Sequence, residues 1–187
     1  MHGVLLVAYR RFLADRFGKA VADQVFPDDA HLDPRAVYPD GTFQNLIQAG
    51  AAAAGRQTDR LLREFGAHAI ASFHELYPGT FPPEGARRFL ANLEKNVHER
   101  LPTILPGAEP PALGITDLGA GQLRIIYRSS RNLCPMLAGM LEGTGVHYQT
   151  PLRYTEETCM RRGDPQCTFL VQVQQTLLPR GKTRPPR

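Results

Sequence analysis

Three groups of residues carry side chains that can ligate, bind or titrate. The first is His98, a lone imidazole that follows Leu90, Leu93 and Val97 and precedes Leu101. At about 100° per helical residue these apolar side chains form one stripe, and His98 falls roughly 80° from its centre. An imidazole there can look into a pocket beside the core and bind a metal, or be a half-buried histidine without a role. The second group is Tyr127-Arg128-Ser129-Ser130-Arg131. On an extended chain alternate side chains share a face, so Tyr127, Ser129 and Arg131 offer a phenol, a hydroxyl and a guanidinium together. That set suits anionic oxygens, because arginine grips a carboxylate with two charge-assisted bonds; a solvated strand end is the plainer alternative. The third group is Cys134, Cys159 and Cys167, the last two bracketing Arg161-Arg162-Gly163-Asp164-Pro165. Three thiolates with His147 or a water would complete a tetrahedral zinc site. Redox-active or simply buried thiols fit the same spacing.

The elements that must position these residues change in kind along the chain. Residues 2–17 carry Leu5, Leu6, Tyr9, Phe12, Leu13 and Phe17 at helical spacing, with Gly18 as the stop. A second helix is expected over 19–26, a third from Thr42 as cap to the alanines before Gly55, and a fourth from Thr58-Asp59 through about Leu76. The longest helical pattern spans 84–105. Beyond Pro110-Pro111 the pattern turns to strands: 112–118 and 122–128 as a hairpin, a short helix over 135–143, then strands over 146–155 and 167–174. The expected class is α+β, with a helical lobe over about 1–60 packed on a lobe over about 61–178. The second lobe would hold the long helix and a roughly four-stranded antiparallel sheet. Residues 179–187 read as a basic disordered tail.

Composition excludes several functions. With 187 residues, 42% of them hydrophobic and 21% charged, the chain can bury about 70% of its unfolded surface without disulfides or metal. The formal charge of +4 looks suited to nucleic acid until it is located: Arg180, Lys182, Arg184 and Arg187 supply it all. The rest is near neutral, so a basic groove is not expected. No apolar run reaches the roughly 18–20 residues of a membrane span. The stretch Gly3–Ala8 has no basic residue before it and no cleavage site after it, so it is not a signal peptide. An odd, small number of cysteines points to a reducing compartment, hence a cytoplasmic protein.

Taken together, these residues stand at the spacing of a known family. Met1-His2-Gly3, the Phe89-Leu90-Ala91-Asn92-Leu93 segment leading to His98, Gly107-Ala108-Glu109-Pro110-Pro111 and Tyr127-x-Ser129-x-Arg131 give the chain, from Met1 to about Val173, its similarity. It resembles the H-NOX domain, the heme-nitric oxide/oxygen binding sensors related to the heme domain of soluble guanylate cyclase. The resemblance implies that His98 is the proximal ligand of a b-type heme, with the sixth position open for a diatomic gas. No Cys-x-x-Cys-His run is present to attach it covalently. Tyr127, Ser129 and Arg131 would bind the propionates, and Pro111 would press on the porphyrin. The distal wall would be Leu5, Ala69, Ile70 and Phe73 with Met136, Leu137 and Met140. Met136 stands where oxygen-binding members place a tyrosine, so nitric oxide and carbon monoxide are the expected ligands. Tyr9 is the departure in that wall: its hydroxyl reaches the gas or its ring packs flat against the heme edge.

Nothing after Val173 reads as a cyclase, kinase or methyl-accepting domain, so a non-enzymatic, stand-alone sensor is expected, and the resemblance implies that it signals to a histidine kinase or a cyclic-di-nucleotide enzyme. Some members carry a four-cysteine zinc site; here Gly163 holds the place of one cysteine. A heme-independent thiol or zinc redox sensor on the same fold is the alternative.

Overall fold

The computed structural model describes residues 1–27 and 32–174. The expected tail over 179–187 lies outside the described residues. Four helices open the fold: α1 (Gly3–Phe17), α2 (Lys19–Val25), α3 (Asp40–Ala53) and α4 (Thr58–Leu76). Gly18 ends α1 because its φ of +93° is a conformation other residues rarely adopt. α3 begins at Asp40, behind Pro39, so Thr42 lies inside the helix and does not cap it. A proline before the first turn needs no hydrogen on its nitrogen, and the Asp40 charge suits the positive helix end.

The expected long helix over 84–105 is three pieces. α5 (Ala86–Ala91) is followed by a π-helical turn over Glu94–His98 and by α6 (Leu101–Ile104). The Asn92 amide donates to the Arg88 carbonyl at 2.9 Å, competing with the backbone ladder. Downstream the Glu99 N–H reaches the Glu94 carbonyl at 2.9 Å, the five-residue spacing of a π-turn. Pro102 then fits only the first turn of a new helix. A widened turn rotates each residue by less than 100°, so a helical wheel does not locate His98.

The sheet follows: β1 (Ala112–Gly119), β2 (Gln122–Arg128), β3 (Leu152–Thr158) and β4 (Cys167–Val173) in the order β1-β2-β4-β3, every neighbour antiparallel. Between β2 and β3 runs α7 (Cys134–His147). It extends four residues beyond the expected 135–143 at its end, and β3 starts at 152 instead of 146. The cause is a close helix crossing. A Cβ on Gly139 would lie 1.9 Å from the Arg63 carbonyl oxygen of α4, and one on Gly143 2.4 Å from that of Ala67. Glycines that look like helix breakers here let two backbones touch.

Two apolar clusters fill the interior. One gathers Leu6, Phe12, Leu13, Phe26, Phe43 and Phe65 among the N-terminal helices; the other packs Leu123, Ile125, Phe169 and Val171 of the sheet against Leu90, Leu93 and Leu141. α4 serves both, with Leu61, Phe65 and Ala69 in the first and Ile70 in the second, while Met136 of α7 joins the first. The pair α4 and α7 therefore fixes the seam where the clusters meet. Among the described residues no helix is long and apolar enough to cross a membrane.

Candidate cofactor pocket

At that seam lies a cavity of about 250 Å³. Its walls come from the start of α1, the second half of α4 with the 77–81 segment after it, α5 with the π-turn and α6, the Glu109–Pro111 segment with Leu113 of β1 and the end of β2, and α7. Leu5, Ile70, Phe73, Met136, Leu137 and Met140 line it, as do Pro111, His98, Tyr127, Ser129 and Arg131. Two residues expected in the wall are elsewhere. Ala69 is fully buried among the N-terminal helices. Tyr9 is too: its ring centroid stands 5.1 Å from Phe65, 5.9 Å from Phe43 and 6.0 Å from Phe26, and its hydroxyl donates to the Leu46 carbonyl at 3.4 Å. Neither arrangement expected for Tyr9 occurs. The reason is legible in α1, where Leu6, Tyr9 and Leu13 form one core-facing row and Leu5 sits on the next.

His98, 13% exposed, places Nδ1 3.2 Å from the Glu94 carboxylate one turn earlier. Burial lowers its pKa, against the opposing pull of Glu94 and the Pro111 carbonyl. A neutral ring whose Nδ1–H points at the carboxylate keeps its lone pair on Nε2, the form that ligates a metal.

At the end of β2, the Tyr127 hydroxyl accepts from the Leu133 N–H at 3.2 Å, and burial raises its pKa. Ser129 Oγ accepts from the Arg131 N–H at 3.2 Å. The Arg131 guanidinium, 14% exposed, donates from Nε to Asp40 at 2.8 Å and from Nη1 to the Glu109 carbonyl at 2.6 Å. Its Nη2 reaches the Glu109 carboxylate at 3.3 Å. Asp40 also accepts from the Met1 nitrogen at 2.9 Å, and these two partners, Arg131 first, hold its pKa low. Sequence reasoning missed Asp40 and Glu109, since the Arg131–Asp40 pair spans 91 positions and no local pattern announces it. The donor set fits a heme: an apolar slot, a neutral imidazole braced by a carboxylate, and a cation with two hydroxyls for carboxylates.

The thiols gather beside Tyr127, whose cross-strand partner in the sheet is Cys167. Cys134 Sγ is 3.6 Å from Cys159 Sγ, which is 4.0 Å from Cys167 Sγ, and all three are buried and unbridged. Glu156 is the fourth group, every ligand atom lying within 4.8 Å of the others. His147 is not: its ring packs 4.5 Å from His74 and 5.2 Å from Phe81. Burial and the neighbouring thiols push Cys134 well above the ordinary thiol range, and burial raises Cys167. Gly163, at φ +95°, makes the left-handed turn between Cys159 and Cys167.

A helical lobe and an antiparallel sheet thus close on an apolar slot with a braced imidazole in its wall. The family model for haem-NO-binding domains matches residues 2–156, and the chain belongs to that family. H-NOX domains are heme-based gas sensors that bind gases such as nitric oxide, carbon monoxide and oxygen. Solved structures agree on the fold. An H-NOX protein from S. oneidensis, in its Fe(II)NO state, superposes with a TM-score of 0.84 at 19% identity, covering 94% of this chain and 100% of that one. The unliganded Fe(II) H-NOX protein from K. algicida gives 0.81 at 22% identity, covering 95% and 99%. A mutant of T. tengcongensis H-NOX gives 0.83 at 20%, covering 95% and 100%. A search of curated protein sequences found no match. A heme-independent thiol or zinc sensor receives no support from these likenesses.

Proposed function

We propose that this chain is a non-enzymatic sensor that holds a b-type heme through His98, binds nitric oxide and carbon monoxide in preference to oxygen, and reports to a partner protein. A histidine kinase or a cyclic-di-nucleotide enzyme is the class of partner. The observation that carries the reading is that an imidazole braced by a carboxylate and a mostly buried guanidinium line one cavity whose other walls are largely apolar.

When bound, the heme supplies an iron with an open coordination position for a diatomic gas. The chain does the rest. His98 would hold the iron through Nε2, with Glu94 fixing the ring. Arg131, Tyr127 and Ser129 hold carboxylates at the cavity rim, Arg131 exchanging the Glu109 carboxylate, which is 83% exposed, for the incoming anion. Leu5, Ile70, Phe73, Met136, Leu137 and Met140 exclude water and offer no hydrogen to a bound gas. From these six side chains oxygen would receive no hydrogen bond, on which its stable binding depends, whereas nitric oxide and carbon monoxide would need none. His98 closes the π-turn that stands between Asn92 and the Pro102 break, so this imidazole would couple the bound group to the least regular backbone of the lobe. That turn is the two-state element a partner would read.

Absorption spectra test the reading. Ferrous protein should shift its Soret band with nitric oxide and with carbon monoxide under nitrogen, and show no stable oxygen complex in air. A lasting oxygen complex would overturn the selectivity, and unchanged spectra with every gas would overturn the sensor role.

A further inference from the structure

We propose that His2 is an additional anion-binding group of this pocket, its imidazole donating a hydrogen bond to a heme propionate beside Arg131. The proposal rests on the heme reading above.

His2 lines the cavity and is 8% exposed, yet neither ring nitrogen has a hydrogen-bond partner. Buried polar side chains in native proteins nearly always have one, so a wholly unpaired imidazole facing a cavity is a donor waiting for a ligand atom. Its position is not loose. The Gly3 N–H bonds to the Ala36 carbonyl and the Tyr38 N–H to the Met1 carbonyl, both at 2.8 Å, and His2 bridges Val37 between them. Gly3 itself is pressed against the backbone of Asp33, where a Cβ would meet the carbonyl oxygen at 2.1 Å. The ring is thus carried by a clamped strand pair at the mouth of α1.

The clamp also says which part of the pocket the ring serves. The Met1 nitrogen and Arg131 Nε share one oxygen of Asp40, at 2.9 and 2.8 Å, which sets the chain immediately before His2 at the arginine end of the cavity. Arg131 and Asp40 together are near neutral, and Glu109 adds a negative charge at the rim. With the Met1 nitrogen also on Asp40, the charges at this end roughly cancel, so a further neutral donor beside the Tyr127 and Ser129 hydroxyls would add to the match for two propionate carboxylates. A neutral imidazole has one N–H to give, and a carboxylate oxygen is the acceptor it would meet. Burial and the nearby amino group keep the ring neutral until the anion arrives, with Asp33 opposing.

The test uses heme b and its dimethyl ester, which keeps the ring and iron but has no carboxylate. Release of each porphyrin to an excess of a heme scavenger would be timed from wild type, His2→Phe and His2→Gln. A charge-assisted hydrogen bond predicts that His2→Phe loses heme b about tenfold faster than wild type, that His2→Gln, which keeps an N–H donor, recovers most of the difference, and that the ester leaves all three at one rate. Equal acceleration with both porphyrins would overturn the proposal in favour of a packing role, and no acceleration would overturn it outright. A change in iron coordination in the His2→Phe spectrum would overturn it by placing the ring at the iron. Wild type that takes up neither porphyrin would instead overturn the heme reading, and the proposal with it.

Discussion

Gly139→Ala should separate α4 from α7 and open the α7 wall of the pocket. The Cβ it adds would stand 1.9 Å from the Arg63 carbonyl oxygen, whereas ordinary contact begins near 3.4 Å. The obstacle is backbone, so no side chain can swing aside, and the α7 axis must retreat by about 1.5 Å along that line. Overpacking of this kind costs about 1–3 kcal/mol, and the helix preference of alanine over glycine returns at most about 1 kcal/mol. The retreat also strips contacts from Met136 and Leu137, which lie on the cavity side of the same helix. A net loss of about 2 kcal/mol in urea unfolding is expected, together with a shifted Soret band in the heme-loaded protein. Gly41→Ala is the control, since nothing lies within 4 Å of its Cβ and it sits in the first turn of α3; it should leave stability unchanged or slightly raised. Gly139→Ala as stable as wild type would refute the close crossing and with it the placement of the α7 side chains.

Arg131→Ala should speed heme loss by about 10- to 100-fold, the weight of one charged hydrogen bond, read by transfer to a scavenger; an unchanged rate would remove Arg131 from the propionate site. Tyr9→Phe should leave the oxygen and nitric oxide spectra as they are and change stability by about 1 kcal/mol or less, because only a long bond to the Leu46 carbonyl is lost. An altered gas spectrum would put its hydroxyl in the pocket. The thiols of Cys134 and Cys167 have raised pKa values in the fold, so they stay protonated near pH 8.5 where free thiols ionise. Alkylation there should be slow in native protein and fast in urea, the thiol form being the one the fold favours until pH climbs past the ordinary thiol range. Equal rates in both conditions would contradict their burial.

Sequence legibility follows the range of each interaction. The hairpin around Gly119-Ala120-Gly121 and the helices of the first lobe are local patterns and, the start of α3 apart, are where expected. The break at Glu94–His98 is hidden because Asn92 and Pro102, which flank it, are each tolerable in a long apolar pattern. α7 outruns its sequence pattern because glycine signals a stop, while here Gly139, Gly143 and Gly66 serve a contact between helices some 70 residues apart in sequence. Of the pocket, the alternation Tyr127, Ser129, Arg131 is visible in the sequence, whereas the pairing of Arg131 with Asp40 and the solitude of the His2 ring exist only in three dimensions. For Tyr9 the resemblance misleads, and its own helical row points to the core.

The central claim is that His98 alone ties the heme to the chain through its iron. The measurement that addresses it most directly is the anaerobic ferrous absorption spectrum of His98→Gly, expressed and purified with and without added imidazole. The account predicts little heme without imidazole, and with it a five-coordinate ferrous spectrum matching wild type, the free base filling the space the side chain left. His98→Gly that retains a full complement of heme and the wild-type spectrum in the absence of imidazole would contradict the claim.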